Sequence, residues 1–138
     1  MEKMNCIVVD DENMGRKLLE ENVRQIPFLN LVASCKNAFE AMEQLQTNSI
    51  DLIFLDIQMP GQNGLRLAAD LRALSPPPAV ILVTAHPEHA LDAYSVSPVD
   101  YLLKPVDPEE LTKTMDRINE RSGKTAENSI ADFLKTQQ

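Results

Sequence analysis

Five short apolar bursts alternate along the chain with longer stretches in which apolar residues recur every three or four positions. The bursts are Cys6 to Val9, Leu29 to Cys35, Ile50 to Asp56, Ala79 to Thr84 and Val99 to Leu103. Each has the length and the β-branched content of a strand. Ile53, Phe54 and Leu55 carry no polar residue between them, and Ala79 to Thr84 is equally apolar. These two read as strands covered on both faces of a parallel sheet. Between the bursts, Met14, Leu18, Leu19, Val23 and Ile26 predict a helix over 13–25, capped by Asn13 and stopped by Pro27. Ala38, Ala41, Met42 and Leu45 predict a second helix, capped by Asn37 and running to Gln46. Leu65, Leu67, Ala68, Leu71 and Leu74 predict a third, ended by Pro76, Pro77 and Pro78. A short fourth helix is expected from about Pro87 to Tyr94. Asp107-Pro108-Glu109-Glu110 opens the last one, with an N-cap, a proline at the first helical position and acids at the positive end of the dipole. Leu111, Met115 and Ile118 supply its inner face. Met14, Met42 and Met115 fall at helical spacing and are expected in the core.

Five strands alternating with five helices, without an internal repeat, imply right-handed βαβ units. The predicted fold class is therefore α/β, a flavodoxin-like doubly wound sheet in three α/β/α layers with strand order 2-1-3-4-5. Its switch point lies between the first and third strands. Residues 1–121 are expected to form this domain. Residues 122–138 read as a linker or C-terminal tail, because the text turns polar from Asn119 to Asn128; Ile130, Phe133 and Leu134 could add one amphipathic turn.

Composition narrows the function without naming it. A chain of 138 residues with 43% hydrophobic content can bury one core. A formal net charge of -8 argues against direct nucleic-acid binding, which rests on Lys and Arg. No run approaches the ~18 apolar residues of a membrane span, and the first residues lack a secretory apolar region. The expected location is cytoplasmic. Cys6 and Cys35 fit a reducing compartment; lying near the start of one strand and the end of the next, they are too far apart in register to pair.

Ligands in open α/β sheets bind at the carboxyl ends of the strands. Four such ends carry chemistry here: Asp10-Asp11 after the first, Asp56 after the third, Thr84 after the fourth and Lys104 after the fifth. Pro60-Gly61 breaks the chain just beyond Asp56. Taken singly, each residue could be a solvated strand end. Together, three carboxylates in one crevice repel one another. Three acids and one lysine leave a formal charge of -2, which a hard divalent cation such as Mg2+ (or Mn2+) balances. A metal alone does not need Thr84 and Lys104, but a phosphoryl group on Asp56 does. An aspartate can act as the nucleophile, while a hydroxyl and an ammonium steady the transferred oxygens.

With these residues in view, the chain resembles the receiver domain of bacterial two-component response regulators over about residues 4–120. The resemblance rests on Val8-Val9-Asp10-Asp11-Glu12, on Leu55-Asp56-Ile57-Gln58-Met59-Pro60-Gly61 with Gly64, on Val83-Thr84-Ala85, and on Asp100-Tyr101-Leu102-Leu103-Lys104-Pro105. It implies Asp56 as phosphoacceptor. It also implies Mg2+ held by Asp56, by Asp11 directly, by Asp10 through water and by the Gln58 backbone carbonyl. Thr84, Ala85 and Lys104 would meet the phosphoryl group, Tyr101 would move with the switch, and the Lys104–Pro105 bond would be cis. A sensor histidine kinase is the implied partner. The face made by the 87–94 helix, the last strand and the last helix is the implied reporter, often through a homodimer. Asp100 to Pro105, with Ala93-Tyr94 upstream, is similar to the receivers of LytTR-type transcription regulators, which carry a DNA-binding domain after the receiver. DNA contact would come only through such an output domain. The alternative is a stand-alone receiver serving as phosphorelay intermediate or phosphate sink. Neither is an enzyme in the ordinary sense, although receivers promote their own phosphorylation and dephosphorylation.

Rival chemistries fit less well. A haloacid-dehalogenase-type phosphatase needs a second acid two residues after its nucleophile, where this chain has Gln58. A flavodoxin needs a phosphate-cradling loop after the first strand, where Asp10-Asp11-Glu12 would repel a phosphate. His86 and His89 are three apart, but no third ligand with zinc spacing is near.

Overall fold

The computed structural model describes residues 3–59, 62–86 and 100–121. The backbone divides into two compact units, residues 1–106 and 107–138. In the first, the chain runs β1 (Met4–Val9), α1 (Asn13–Arg24), β2 (Leu29–Cys35), α2 (Ala38–Thr47), β3 (Leu52–Asp56), β4 (Gln58–Met59), β5 (Gln62–Asn63), α3 (Gly64–Arg72), β6 (Ala79–Thr84) and β7 (Asp100–Leu103). The described part of the second unit is one helix, α4 (Pro108–Arg121).

The main sheet has the order β2-β1-β3-β6-β7, all parallel. Setting aside the two-residue strands β4 and β5, this is the 2-1-3-4-5 order read from the alternation. The β4–β5 pair is a small antiparallel ladder that nothing in the hydrophobic pattern announces, because two-residue strands carry no periodicity. The expected 87–94 helix lies outside the described residues, which hold four of the five anticipated helices.

Alternation along the strands divides the core. Ile7, Val9, Ile53, Leu55 and Leu82 point to the face covered by Ala41 of α2 and by Leu67, Ala68 and Leu71 of α3. Cys6, Val8, Phe54, Ile81 and Val83 take the opposite parity and are also buried. On that side Leu18 and Leu19 of α1 share an apolar pocket with Val83. Every residue of β3 is buried, as a two-sided strand requires. Cys6 stands opposite Leu31 while Cys35 stands opposite Val9, so both thiols are free and buried. Burial pushes the Cys6 thiol up to about 12, with Asp51 adding to it. It also raises Cys35 to about 11.

Two helix readings need correction. Met14, expected in the core, is 85% exposed, and Leu18 is 46% exposed. The buried face of α1 is Leu19, Asn22 and Val23. The spacing of Met14 and Leu18 matches a helix, but the stripe that faces the sheet is rotated from theirs. Asn22 takes an inner place because its amide reaches the Val106 carbonyl at 3.5 Å. Asn13 is not the cap either: Glu12 holds that position with no side-chain bond, and Asn13 is the first helical residue. Asn37 does cap α2, its side chain accepting from the Glu40 N–H at 2.8 Å. Likewise, Asp107 accepts from the Glu109 N–H at 2.9 Å at the start of α4. Met115 is buried and Met42 packs against the core cluster, as the spacing predicts. The Lys104–Pro105 peptide is cis, as expected, and so is Ser75–Pro76, which was not foreseen.

Candidate functional site

β1 and β3 are neighbours at the point where the strand order reverses, so the residues following them meet. Asp10 leaves β1 fully buried, and Asp56 ends β3 at 4% exposure. Asp11 is half-buried beside them. One oxygen from each of these three carboxylates lies within 4.8 Å of the others. β7 pairs with β6 and delivers Lys104 to the same place. Its ammonium stands 3.0 Å from Asp10 Oδ2 and 3.4 Å from Asp56 Oδ1. The Lys104 N–H donates to the Thr84 carbonyl at 2.7 Å, which ties the ends of β6 and β7 together.

The electrostatics follow from burial. Loss of water pushes the Asp56 carboxyl up, Lys104 opposes this, and the charges of Asp10 and Asp11 add to it, bringing it to about 6. The same burial disfavours the Lys104 ammonium, but its bond to Asp10 and the charges of Asp56 and Asp10 more than offset that and raise it. The site is thus an acid cluster neutralised in part by the Lys104 ammonium. Such a cluster suits a hard divalent ion that takes carboxylate oxygens and retains water. Asp10 Oδ1 accepts from the Glu12 N–H at 2.9 Å, so one edge of this carboxylate is already oriented by the backbone.

Thr84 is buried at the end of β6, and its hydroxyl oxygen accepts from the His86 N–H at 3.1 Å. The Tyr101 hydroxyl donates to the His86 carbonyl at 2.9 Å. One residue therefore touches both the threonine hydroxyl and the phenol. Ala85 is exposed and borders an apolar pocket with Gly15, Leu18, Leu19, Val83, Lys104, Pro105 and Val106. Gln58 has an exposed side chain, and its backbone pairs with Asn63 in the β4–β5 ladder. Met59 is buried in the core cluster.

Two residues matter that periodicity could not single out. Gly64 donates its N–H to the Ile57 carbonyl at 3.0 Å. A Cβ there would lie 2.4 Å from the Asp56 carbonyl oxygen and 2.7 Å from Ile57 Cα. The chain can fold back over the Asp56 turn only without a side chain at that point. Arg16, in the first turns of α1, donates from Nη1 to the Asp10 carbonyl at 2.8 Å and from Nη2 to Asn13 Oδ1 at 2.6 Å. A cation six residues past an acid is an ordinary helix-surface signal, and only the packing shows that it turns back.

The sequence profile of the response regulator receiver domain matches residues 6–116. The positive alginate biosynthesis regulatory protein of Pseudomonas aeruginosa is 43% identical over 115 residues, 83% of this chain and 46% of that protein. The sensory transduction protein LytT of Enterococcus faecalis is 33% identical over 129 residues, 94% of this chain and 53% of that protein. The match to LytT agrees with the LytTR-type resemblance. The chain spans about half the length of the curated relatives it matches. Among solved structures, the response regulatory domain of mrkE from Klebsiella pneumoniae superposes with a TM-score of 0.76 at 29% identity, covering 83% of this chain and 93% of that one.

Proposed function

Because the chain belongs to the response regulator receiver domain family, we propose that Asp56 is its phosphoacceptor, taking a phosphoryl group from a sensor histidine kinase with Mg2+ in the acid cluster. Receiver domains are signalling domains rather than enzymes in the classical sense, and this chain is a phosphorylation-dependent switch of that kind. The observation that carries the Asp56 assignment is the position of the Lys104 ammonium, 3.0 Å from Asp10 and 3.4 Å from Asp56. An anion added at Asp56 would arrive within reach of a fixed positive charge.

Asp10, Asp11, Asp56 and the Gln58 carbonyl would hold the ion, which when bound neutralises charge on the phosphoryl oxygens. An Asp56 oxygen attacks phosphorus, and a P–O bond forms as the P–N bond to the donor imidazole breaks. The released electron pair stays on the imidazole nitrogen, which takes up a proton. Lys104 holds one phosphoryl oxygen and the Thr84 hydroxyl donates to another. Attack by water on the same phosphorus restores Asp56 and releases phosphate, so the signal is self-limiting. As Thr84 turns to the phosphoryl group, its contact with the His86 N–H changes. The His86 carbonyl is an acceptor for Tyr101, so the phenol responds through His86. This is a two-state element biased by new charge.

In this reading residues 1–121 form the receiver, and 122–138 link it to a C-terminal output domain that controls transcription. A homodimer that includes the Tyr101 strand would report the phosphorylated state. The test is incubation with Mg2+ and acetyl phosphate, followed by intact-mass measurement. The wild type gains one phosphoryl group and Asp56→Asn gains none. Equal labelling of the variant defeats the assignment.

A further inference from the structure

Three acids can serve one cation only if the loop that carries two of them holds its shape, and in the loop after β1 the Glu12 N–H already fixes the Asp10 side chain at Oδ1. Asp10 and Asp11 lie between the last residue of β1 and the start of α1. The helix cap in that loop, Glu12, makes no side-chain capping bond. The Asp10 N–H is tied to the sheet through the Cys35 carbonyl at 3.0 Å. Its carbonyl points the other way, and there Arg16 reaches back from α1. One guanidinium nitrogen takes the Asp10 carbonyl at 2.8 Å and the other takes Asn13 Oδ1 at 2.6 Å. The two contacts bracket residues 10–13 from both ends. A guanidinium is a rigid planar fork, and its charge-assisted bonds are stronger than neutral ones. Arg16 is half-buried, so water does not readily replace it.

We propose that Arg16 is a positioning residue for the cation site, acting through the backbone of residues 10–13 rather than by touching the ion or the phosphoryl group. This rests on reading Asp10 and Asp11 as cation ligands. The sign of the effect separates positioning from charge. As a mere positive charge beside the acids, Arg16 would repel a cation, and its removal would tighten Mg2+ binding. As a clamp, its removal loosens the loop, and Mg2+ binding weakens.

The experiment is calorimetric titration of Mg2+ into the full chain with Arg16→Met and, separately, Arg16→Lys. Backbone amide exchange in EDTA gives a metal-free readout. Arg16→Met is expected to raise the Mg2+ dissociation constant about ten- to a hundredfold and to speed exchange at Glu12 and Asn13 by a similar factor, the equivalent of losing one charged hydrogen bond. Arg16→Lys keeps the charge without the fork and is expected to fall on the same side as Arg16→Met. At saturating Mg2+ the labelling rate of both variants should return to within about twofold of wild type, because Asp56, Thr84 and Lys104 are untouched. Tighter Mg2+ binding in Arg16→Met, or unchanged binding in both variants at whatever melting temperature, overturns the inference and leaves the phosphoacceptor reading intact. A wild-type chain that binds no Mg2+ overturns both, and amide exchange still reports whether the clamp exists.

Discussion

At Asp56 the side chain is placed where its ionised form is held at a cost, and that cost is open to measurement. Its carboxyl sits at about 6 against an ordinary 3.8, chiefly because burial strips its water. A raised carboxyl binds its proton more tightly in the folded chain than in the unfolded one. Its contribution to stability is therefore fully present below about pH 3.8 and is lost as pH rises through about 6. In EDTA, Asp56→Asn should be more stable than wild type at pH 7.5 by roughly 1–2 kcal/mol, with the difference shrinking toward pH 4.5. Urea midpoints at the two pH values check this, and a pH-independent difference would refute it. Lys104 is the counterpart. Lys104→Met removes the cation that opposes the rise at Asp56, so Asp56 is protonated over more of the neutral range and loses nucleophilic power. Its labelling by acetyl phosphate at pH 7 should fall about 10²- to 10³-fold, the usual scale for removing one electrostatic stabiliser.

The helices illustrate how local signals and packing divide the work. Asn37 follows the capping rule, and its oxygen meets the Glu40 N–H. Asn37→Ala should cost about 1 kcal/mol by urea unfolding and leave labelling unchanged. At the start of α1 the same residue type does something else. Asn13 lies one position too late to cap and instead accepts from Arg16. Met14, which looks like a core methionine in the sequence, stands in solvent, and Met14→Ala should alter stability by less than ~0.5 kcal/mol. β7 couples the elements. Tyr101 and Thr84 both lean on His86, so Tyr101→Phe should lose about 1 kcal/mol of stability while labelling proceeds. If labelling were lost with the phenol, Tyr101 would belong to the chemistry rather than to its readout.

At the scale of the whole molecule, a cation held by the acid cluster would couple that cluster to the stability of the sheet. An ion that binds only the folded chain stabilises it by RT ln(1 + [L]/Kd), about 2.7 kcal/mol at a hundredfold excess over Kd. Mg2+ should thus raise the melting temperature of wild type by several degrees, and of Asp11→Asn by much less. A melting temperature indifferent to Mg2+ in wild type would remove the cation from the account. The scaffold around the cluster is well packed. Ile7, Val8 and Val9 of β1 and Leu52 to Leu55 of β3 are fully buried, and the strands that deliver Asp10 and Asp56 run in register from Cys6–Leu52 to Val9–Leu55.

The alternation of apolar bursts and helical stripes was enough to place the strands, their parallel order and the four strand ends that carry Asp10-Asp11, Asp56, Thr84 and Lys104. These follow from side-chain period and chain connectivity, which are local or topological properties. What needed the folded chain is everything set by close approach. Which stripe of α1 turns inward depends on what fits against the sheet, and so Met14 and Asn22 exchanged the places their polarity suggests. That Lys104 sits nearer Asp10 than Asp56, that Gly64 must lack a side chain, and that Arg16 reaches back to residue 10 are facts about atoms separated along the chain and joined by packing. No spacing rule encodes such contacts, because a side chain's partner across a fold is chosen by distance in space and not by distance in sequence.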